Sequence, residues 1–279
     1  MKKIVWLLMG MSAAGAFGAE DVFLYRLGTI EVYTLVENAG PGRPQVLLGA
    51  SDAAKARYLK PGFQSSTNAF LVKGAGRTVL VDTGFGGKIF ESMKSLGVDP
   101  GDVDAVLLTH MHGDHIGGLA RDGKALFPKA LVYVSEKEKE YWTVTNVNHG
   151  AVAAFAPYGN RVKTFRPGEL GGRLAELVPG IEAFAAYGHT PGHSCFLVTS
   201  GTARLLIWGD LMHVQDIQFP LPDISVTYDT DPVMAAETRK KVLQYAAANN
   251  IPIAGMHLVY PAVGTVREDG AGYTLTPAK

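Results

Sequence analysis

Short apolar runs that end in polar or glycine-containing turns recur along the chain and predict a strand-rich protein. The clearest run, at residues 105–109, is aliphatic and β-branched up to its closing threonine, which is typical of a strand buried on both faces. The same criteria of length and composition predict several further strands. Together the predicted strands cover residues 70–73, 78–82, 105–109, 131–135, 196–200 and 205–208.

Helices are predicted between these strands. The helices cover residues 88–96, 135–144 and 232–249. In the first helix apolar residues recur at positions i, i+4 and i+7. The second helix begins where the Ser135 hydroxyl and the Glu138 carboxylate fit a capping box. The third follows Asp231 and Pro232, which suit the cap and first turn of a helix.

The N-terminal residues have the layout of a secretory signal peptide. Lys2 and Lys3 precede an apolar stretch, and small residues follow. Residues 1–19 are therefore predicted to be removed, with cleavage between Ala16 and Ala19. The apolar stretch is too short, and too broken by glycine, for a transmembrane anchor. The mature chain is expected in the periplasm or outside the cell, with no stable membrane insertion.

Composition limits both the domain organisation and the class of function. The chain has 26 basic and 26 acidic residues, and loss of Lys2 and Lys3 leaves 24 basic residues and a net charge of −2. Near-neutrality argues against nucleic acid as a partner. With 47% hydrophobic residues and no low-complexity linker, residues 20–279 are predicted to form a single domain. The lone cysteine, Cys195, excludes an internal disulfide and is predicted to be a buried small hydrophobe.

One predicted strand leads directly into a dense group of metal-binding side chains. His110, His112, Asp114 and His115 form the pattern H-x-H-x-D-H. Residues two apart in extended chain share a face, so His110 and His112 can bind one ion. A glycine then allows a turn that directs Asp114 and His115 toward a second ion. Imidazole and carboxylate suit zinc, iron, manganese or cobalt, so the motif leaves the metal's identity open.

Further metal-binding residues lie beside other apolar runs. His189 and His193 belong to one Gly-His-Thr-Pro-Gly-His segment that precedes a predicted strand. Asp210 ends another apolar run, and His257 ends a third. His193 is predicted to lie behind the direct ligands. The remaining three residues are predicted to join the H-x-H-x-D-H motif at one site.

These motifs, in this order, resemble those of the metallo-β-lactamase superfamily of metal-dependent hydrolases. The resemblance runs from about residue 65 onward and includes the turn at Asp82 to Gly84. It implies an α+β fold, an αββα sandwich of two facing β-sheets with helices outside. It also implies two divalent metal ions, with zinc favoured. The implied ligands are His110, His112 and His189 for one ion, Asp114, His115 and His257 for the other, and Asp210 as the bridge.

The C-terminal half resembles the methyl parathion hydrolase group, which is related to the acyl-homoserine lactonases. The similar segments are residues 209–212, 214–219, 237–241, 257–264 and 266–273. This resemblance implies hydrolysis of phosphotriesters, aryl esters or lactones at a two-metal centre. The chain departs from the group at His213, where methyl parathion hydrolases look apolar. The related lactonases carry a tyrosine there that touches the substrate.

The expected chemistry follows from what two metal ions do to water. A metal-bound water has its pKa lowered to about 7, so a hydroxide that bridges the ions is the predicted nucleophile. Asp114 or Asp210 is predicted to orient it and accept its proton. Asp82 and Thr109 are predicted to fix the orientation of the ligands. His213 is predicted to hydrogen-bond the substrate or protonate the leaving group, and the alternative is a pocket-wall histidine without a chemical role.

Aromatic residues near the motifs predict a small-molecule substrate, an apolar ester or lactone, because no arginine cluster accompanies them. The residues are Phe85, Phe90, Trp142, Phe155, Tyr158, Phe219 and Tyr260. Residues 35–64, rich in Gly, Pro and Ala, are predicted to form a mobile flap or the arm of a homodimer.

Two functions from other classes stay open. One is an iron-dependent redox enzyme of the same fold, similar to a persulfide dioxygenase, which uses a single iron. The other is a non-catalytic periplasmic binding protein that has kept the fold. The complete set of seven ligand residues disfavours the binding protein, and a metal count separates the redox enzyme from the two-metal hydrolase.

Overall fold

A computed structural model describes residues 21–279, so the predicted signal peptide at residues 1–19 lies outside the described part. The strands are β1 Val22–Leu27, β2 Ile30–Pro41, β3 Leu47–Leu48, β4 Gln64–Gly74, β5 Arg77–Val81, β6 Ala105–Leu107, β7 Ala120–Arg121, β8 Lys124–Ala125, β9 Leu131–Ser135, β10 Val162–Phe165, β11 Ala175–Val178, β12 Ile181–Ala185, β13 Ser194–Ser200, β14 Ala203–Ile207, β15 Ser225–Val226, β16 Ile253–Ala254, β17 Val263–Asp269 and β18 Gly272–Pro277. The α-helices are α1 Asp52–Tyr58, α2 Lys88–Ser95, α3 Gly113–Ile116, α4 Glu136–Glu140, α5 His149–Phe155, α6 Gln215–Gln218 and α7 Pro232–Ala248. Within residues 21–279, none of the helices has both the length and the apolar character needed to cross a membrane.

Two seven-stranded sheets form the centre of the fold. The first has the order β1-β2-β4-β5-β6-β9-β10, antiparallel up to β5 and parallel from β5 to β10. The second has the order β11-β12-β13-β14-β16-β17-β18 and is antiparallel except between β14 and β16. Both sheets are therefore mixed, and the predicted α+β sandwich with additional helices is confirmed.

Successive side chains of the central strands point to opposite faces of the sheet. Both faces are buried, which explains the continuously apolar sequences of these strands. On β5, Val79 and Val81 belong to a core cluster that both sheets share, and Leu80 belongs to a second cluster on the other face. Ile89 and Met93 of α2 pack into that second cluster. The other sheet is covered by α7, which contacts β17. The centre of the first sheet is thus buried on both faces, which is why the apolar runs of its central strands show no polar alternation.

All of the predicted strands and helices are present, with differences at their ends. The strand predicted at residues 70–73 is the second half of β4, which begins at Gln64. The helix predicted at residues 88–96 ends at Ser95, and the one predicted at residues 135–144 passes from α4 into a π-helical turn at Tyr141–Thr145. The prediction missed the long strand β2 and the hairpin of β17 and β18, whose sequences mix polar and apolar residues.

The capping box predicted at the start of α4 is half wrong. Ser135 caps the helix, since its Oγ accepts a hydrogen bond from the backbone N–H of Glu138 at 3.2 Å. The Glu138 carboxylate does not return to the backbone of Ser135. It turns into the protein and accepts hydrogen bonds from the backbone of Met111 and Gly192. The local sequence therefore predicted a helix cap for Glu138, whereas its carboxylate bonds residues that are distant in sequence.

Residues 35–64, predicted as a flap or a dimer arm, are built into the fold. Their first part belongs to β2, which pairs with β4 along its whole length. Further on, β3 pairs with β15, and Leu47 packs with Val214, Ile217 and Val226 in a small buried cluster. Strand pairing and this cluster join the segment to the C-terminal half, and mobility of the segment stays a prediction. A role in a homodimer stays a prediction.

Candidate metal centre

The predicted metal ligands meet at one edge of the sandwich, where strands of both sheets end. His110 lies three residues after β6, Asp210 three residues after β14, and His257 three residues after β16. His189 lies in the loop between β12 and β13. Because strands of the two sheets end at the same edge, residues far apart in sequence are brought into one cluster.

Three imidazoles converge on one point of this cluster. His110 Nε2 lies 3.0 Å from His112 Nδ1 and 3.2 Å from His189 Nε2, and His112 Nδ1 lies 3.0 Å from His189 Nε2. Asp210 Oδ2 completes the set at 3.3 Å from His189 Nε2. Ligand nitrogens of a tetrahedral zinc ion are about 3.3–3.4 Å apart, given zinc–nitrogen distances of about 2.0–2.1 Å. We call His110, His112 and His189 the three-histidine half; its spacing suits one ion.

The second set lies on the other side of Asp210. Asp210 Oδ1 is 3.2 Å from His115 Nε2, and Asp210 Oδ2 is 3.0 Å from His257 Nε2. Asp114 Oδ2 lies 3.5 Å from His257 Nε2 and 3.6 Å from His115 Nε2. We call Asp114, His115 and His257 the Asp114 half. Both halves contain donor atoms that lie close enough together to hold an ion, and both share the Asp210 carboxylate.

Two buried atoms at the centre of the cluster show that a cation fits there. His115 Nε2 and Asp210 Oδ1 face each other, yet neither has a hydrogen-bond partner among residues 21–279. His115 Nδ1 contacts the Asp82 carboxylate at 2.7 Å and must donate its proton there, because a carboxylate accepts. A neutral His115 then presents a lone pair to a carboxylate oxygen. A positive charge between the two atoms removes that repulsion, and a proton or a metal ion supplies it.

Asp82 connects the ligands of both halves from behind. Its carboxylate accepts hydrogen bonds from Thr109 N at 2.8 Å, Thr109 Oγ1 at 2.7 Å and His115 Nδ1 at 2.7 Å. Since Thr109 Oγ1 donates to Asp82, it accepts from His110 Nδ1 at 3.0 Å and leaves His110 Nε2 free to bind an ion. Asp82 has a φ of 58°, a left-handed conformation that non-glycine residues seldom adopt. The supporting positions predicted for Asp82 and Thr109 match this arrangement.

Two supports of the ligands were not predicted from the sequence. His189 Nδ1 donates to Asp229 Oδ1 at 2.8 Å, and Asp229 Oδ2 lies 3.7 Å from the guanidinium of the buried Arg239. His257 Nδ1 donates to the carbonyl oxygen of Ser66 at 2.8 Å. Asp229 sits in a turn without a recognisable motif, and a backbone carbonyl has no sequence signature. Only the fold brings them to the ligands.

His193 lies behind the centre, as predicted. Its Nδ1 donates to the carbonyl oxygen of Ala186 at 3.0 Å, and its Nε2 accepts from the backbone N–H of Asp210 at 3.0 Å. Burial lowers the pKa of His193 to about 3, so the ring is neutral, as this hydrogen-bond pattern requires. Both ring nitrogens are occupied, and His193 orients the shared carboxylate through its backbone.

The protons in the metal-free cluster are distributed unevenly. Burial, followed by the charge of His189, lowers the pKa of His112 to about 3. Burial also lowers the pKa of His189, but the carboxylates of Asp210 and Asp229 outweigh it and raise that pKa to about 9. The same balance raises the pKa values of His115 and His257. Several histidines thus hold protons beside the carboxylates when no metal ion is present.

His213 lies at the centre of the cluster, against the shared carboxylate. Its Nε2 is 3.2 Å from Asp210 Oδ2, and its ring stacks on His257 with centroids 4.7 Å apart. Its Nδ1 is buried without a hydrogen-bond partner among the described residues. Burial lowers the pKa of His213 to about 4, so a neutral ring donates from Nε2 to Asp210. The predicted contact with substrate stays a prediction, and this geometry adds the orientation of Asp210 as a second role.

A cavity of about 690 Å³ opens onto the cluster. Of the seven aromatic residues near the motifs, Phe85 lines it, and Tyr228, which was not among the seven, also does. Four of the others pack in core clusters, and Trp142 lies beside a cavity-lining histidine. Phe155, Tyr158 and Phe219 are buried in core clusters, Phe90 stacks on Phe127, and Trp142 lies edge-on to His112 at 5.4 Å.

The remaining walls of the cavity come from the N-terminal part of the described chain. Asn38, Arg43, Ser65 and Thr67 contribute polar groups there. Arg43 is the one lysine or arginine among the cavity-lining residues. The cavity therefore combines hydroxyl and amide groups with apolar side chains and carries little positive charge.

A sandwich of two mixed sheets, with paired histidine and aspartate clusters at one edge, is the architecture of metal-dependent enzymes with the metallo-β-lactamase fold. The profile of the metallo-beta-lactamase superfamily matches residues 62–250. The chain belongs to this superfamily.

Relatives of known sequence and structure agree with that family. The chain is 30% identical over 191 residues to metallo-beta-lactamase domain-containing protein 1 of Homo sapiens, covering 67% of this chain and 61% of that protein. The structure of the hydrolase AbOPH of the beta lactamase superfamily has a TM-score of 0.85 and 29% identity, covering 93% of this chain and 98% of AbOPH. AidC, a dizinc quorum-quenching lactonase, has a TM-score of 0.82 and 24% identity over 92% of this chain and 97% of AidC, and shows the shared fold.

Proposed function

We propose that the chain is a binuclear metal-dependent hydrolase that cleaves uncharged esters, lactones or phosphotriesters. The observation that carries the proposal is the placement of seven imidazole and carboxylate side chains in two sets around Asp210. Four of the candidate ligand histidines face the centre with Nε2 and donate a hydrogen bond from Nδ1. His115 and His189 donate to carboxylates, His257 donates to a backbone carbonyl, and His110 donates to the Thr109 hydroxyl. This pattern leaves each Nε2 as a metal ligand.

The donor set suits two zinc ions, which when bound lower the pKa of a coordinated water and polarise the oxygen under attack. Asp210 faces both halves and holds them at a fixed separation. Asp114 lines the cavity, and the charges of His115 and His257 outweigh burial to keep the pKa of Asp114 below its usual range. An ionised Asp114 can accept a hydrogen bond from a water that enters from the cavity and so orient it. His213 donates to Asp210 and orients it.

The cavity supports the proposed substrate class. Its volume is in the range of small-molecule sites. Arg43 is the one lysine or arginine in its lining among the described residues, whereas recognition of a charged phosphate ester commonly employs several. Phe85, Val46 and Tyr228 offer contact to an acyl or aryl group. A neutral ester, lactone or phosphotriester of moderate size matches these walls.

Location and assembly belong to the same proposal. The signal peptide predicted at residues 1–19 supports a mature enzyme in the periplasm or outside the cell. The near-neutral charge supports a small-molecule substrate in place of nucleic acid. A homodimer is compatible with these features and is tested by measuring the mass of the mature protein in solution.

The experiment combines a metal count with a substrate panel. The mature protein is analysed for metals by mass spectrometry, and hydrolysis is measured with 4-nitrophenyl butyrate, N-hexanoyl-homoserine lactone and methyl parathion. The lactone is included because AidC was solved with N-hexanoyl-L-homoserine as its product. We expect two zinc equivalents and hydrolysis that stops when a chelator removes them. A single iron without hydrolysis contradicts the proposal and points to the redox alternative.

A further inference from the structure

Glu138 is a buried carboxylate that accepts four hydrogen bonds. Its Oε1 accepts from Met111 N at 2.9 Å and from Trp142 Nε1 at 2.6 Å. Its Oε2 accepts from Thr190 Oγ1 at 2.7 Å and from Gly192 N at 2.9 Å. The residue has no exposed surface, and no lysine or arginine within residues 21–279 forms an ion pair with it. Hydrogen bonds alone therefore compensate for burial of this carboxylate.

Three of the four donors to Glu138 come from the two loops that carry the three-histidine half. Met111 lies between His110 and His112 in sequence. Thr190 and Gly192 follow His189 in the other loop. One carboxylate, placed on α4, thus connects two loops that are separated by about eighty residues.

Two further contacts strengthen this connection. Ser135 Oγ donates to the carbonyl oxygen of Gly192 at 2.7 Å, so the start of α4 holds that loop through two residues. A side chain at position 192 would clash with the backbone of Glu138, so glycine permits the close approach. Trp142, which donates to Glu138, also lies edge-on to His112 at 5.4 Å. The contact network ends at a ligand imidazole.

We propose that Glu138 is a positioning residue that fixes the distance between His189 and the pair His110 and His112. The inference rests on the proposed function, because it assumes that these histidines hold a metal ion. Metal ligands are oriented by partners that do not touch the ion, and loss of such partners typically weakens metal binding roughly 10- to 100-fold. Glu138 differs from such partners in that it holds the backbone of the ligand loops.

The test is Glu138→Gln. A glutamine keeps the shape of the side chain, but its amide nitrogen cannot accept, so it loses the hydrogen bonds at one of the two oxygens. We expect the dissociation constant of one zinc equivalent, measured by competition with a colorimetric chelator, to rise roughly 10- to 100-fold. With cobalt(II) in place of zinc, we expect a changed visible absorption spectrum, which reports the geometry of the ligands.

Two matched variants separate positioning from stability. Glu37→Gln alters another buried carboxylate, which accepts hydrogen bonds from Gly87 N and Ile89 N at the start of α2 and touches none of the ligand loops that donate to Glu138. It should lower stability and leave zinc affinity and the cobalt spectrum unchanged. Glu140→Gln makes the same exchange at an exposed position of α4 and should change neither property.

The outcomes distinguish the inference from the proposed function. If the unaltered protein binds two zinc ions and Glu138→Gln binds them equally well with the same cobalt spectrum, the inference is overturned and the proposed function stands. If the unaltered protein binds no zinc, both are overturned. Should Glu138→Gln fail to fold, Thr190→Val removes a single donor, and its zinc affinity decides: a loss of several-fold supports the inference, and an unchanged affinity overturns it.

Discussion

The two halves of the candidate metal centre share Asp210 but are supported in different ways. In the three-histidine half, His189 donates to the carboxylate of Asp229, and Arg239 lies behind that carboxylate. In the Asp114 half, His115 donates to the carboxylate of Asp82, and His257 donates to an uncharged backbone carbonyl. In the first half only His112 lines the cavity, with Trp142 edge-on to its ring, whereas in the second half both Asp114 and His257 line it. Both halves are therefore supported by a carboxylate, and the Asp114 half is the more open of the two.

This difference indicates a division of roles. Each half has a carboxylate behind one imidazole, which fixes the orientation of that ligand. The three-histidine half has one histidine with a raised pKa and the Asp114 half has two, so fewer protons compete with an ion in the three-histidine half. The Asp114 half offers its donors to the cavity, where a substrate enters. We therefore expect the first zinc equivalent to occupy the three-histidine half and the second to be the one in closer contact with substrate.

The pH dependence of metal binding should differ most between the halves. A histidine must lose its proton to bind a metal ion, so a raised pKa makes metal affinity increase with pH until that pKa is passed. In the three-histidine half, His189 alone has a raised pKa, of about 9, whereas the pKa values of His110 and His112 are lowered. In the Asp114 half, both His115 and His257 have raised pKa values.

We therefore expect affinity for the first equivalent to rise about tenfold per pH unit between pH 7 and 9, and affinity for the second to rise more steeply at pH values where both of its histidines are protonated. Calorimetric titration with zinc in buffers of different ionisation enthalpy measures the number of protons released at each step. Equal release at both steps would contradict the assignment of the two halves.

Asp229→Asn should weaken the three-histidine half selectively. The asparagine keeps the shape of the side chain but removes the negative charge that His189 contacts at 2.8 Å. We expect the first zinc equivalent to bind roughly 10- to 100-fold more weakly, with a much smaller change for the second. Competition with a chelator at fixed pH measures both constants.

Asp231→Asn is the matched control for that variant. Asp231 lies in the same loop, is exposed and caps α7, a role that asparagine fills equally well. Its zinc affinity should equal that of the unaltered protein. An equal loss at both equivalents in Asp229→Asn would show that Asp229 stabilises the whole centre and not one half.

The candidate ligands of this centre are easier to predict from the sequence than the residues that support them. The direct ligands follow apolar runs at strand ends, so His110, Asp210 and His257 stand out from the surrounding residues. The supporting residues do not stand out, because they lie far from the ligands in sequence and only the fold brings them within hydrogen-bond distance. Asp229 lies forty residues from the histidine that it supports, and Glu138 fits a helix cap by local pattern yet bonds two distant loops.

The cavity was the least predictable region for the same reason. Proximity in sequence to a ligand does not place a side chain beside it in space. Phe90 and Phe155 follow metal-binding or supporting motifs but point into the layer between the first sheet and its helices. Apolar residues are buried wherever the core offers room, so aromatic residues near a motif are more often core than cavity wall.

Phe85→Ala should produce the smallest effect and should act on the open half alone. Phe85 is 57% exposed and lines the cavity together with Asp114. Loss of its contact with an aryl or acyl group should cost about 1 kcal/mol, which corresponds to a KM about fivefold higher. We expect kcat for 4-nitrophenyl butyrate and the zinc content to stay unchanged, since the ring touches no support of the ligands. Phe90→Leu, which alters a ring stacked on Phe127 away from the cavity, should leave KM unchanged. A lower zinc content in Phe85→Ala would mean that the open half depends on its cavity wall, and the separation between metal binding and substrate contact would then fail.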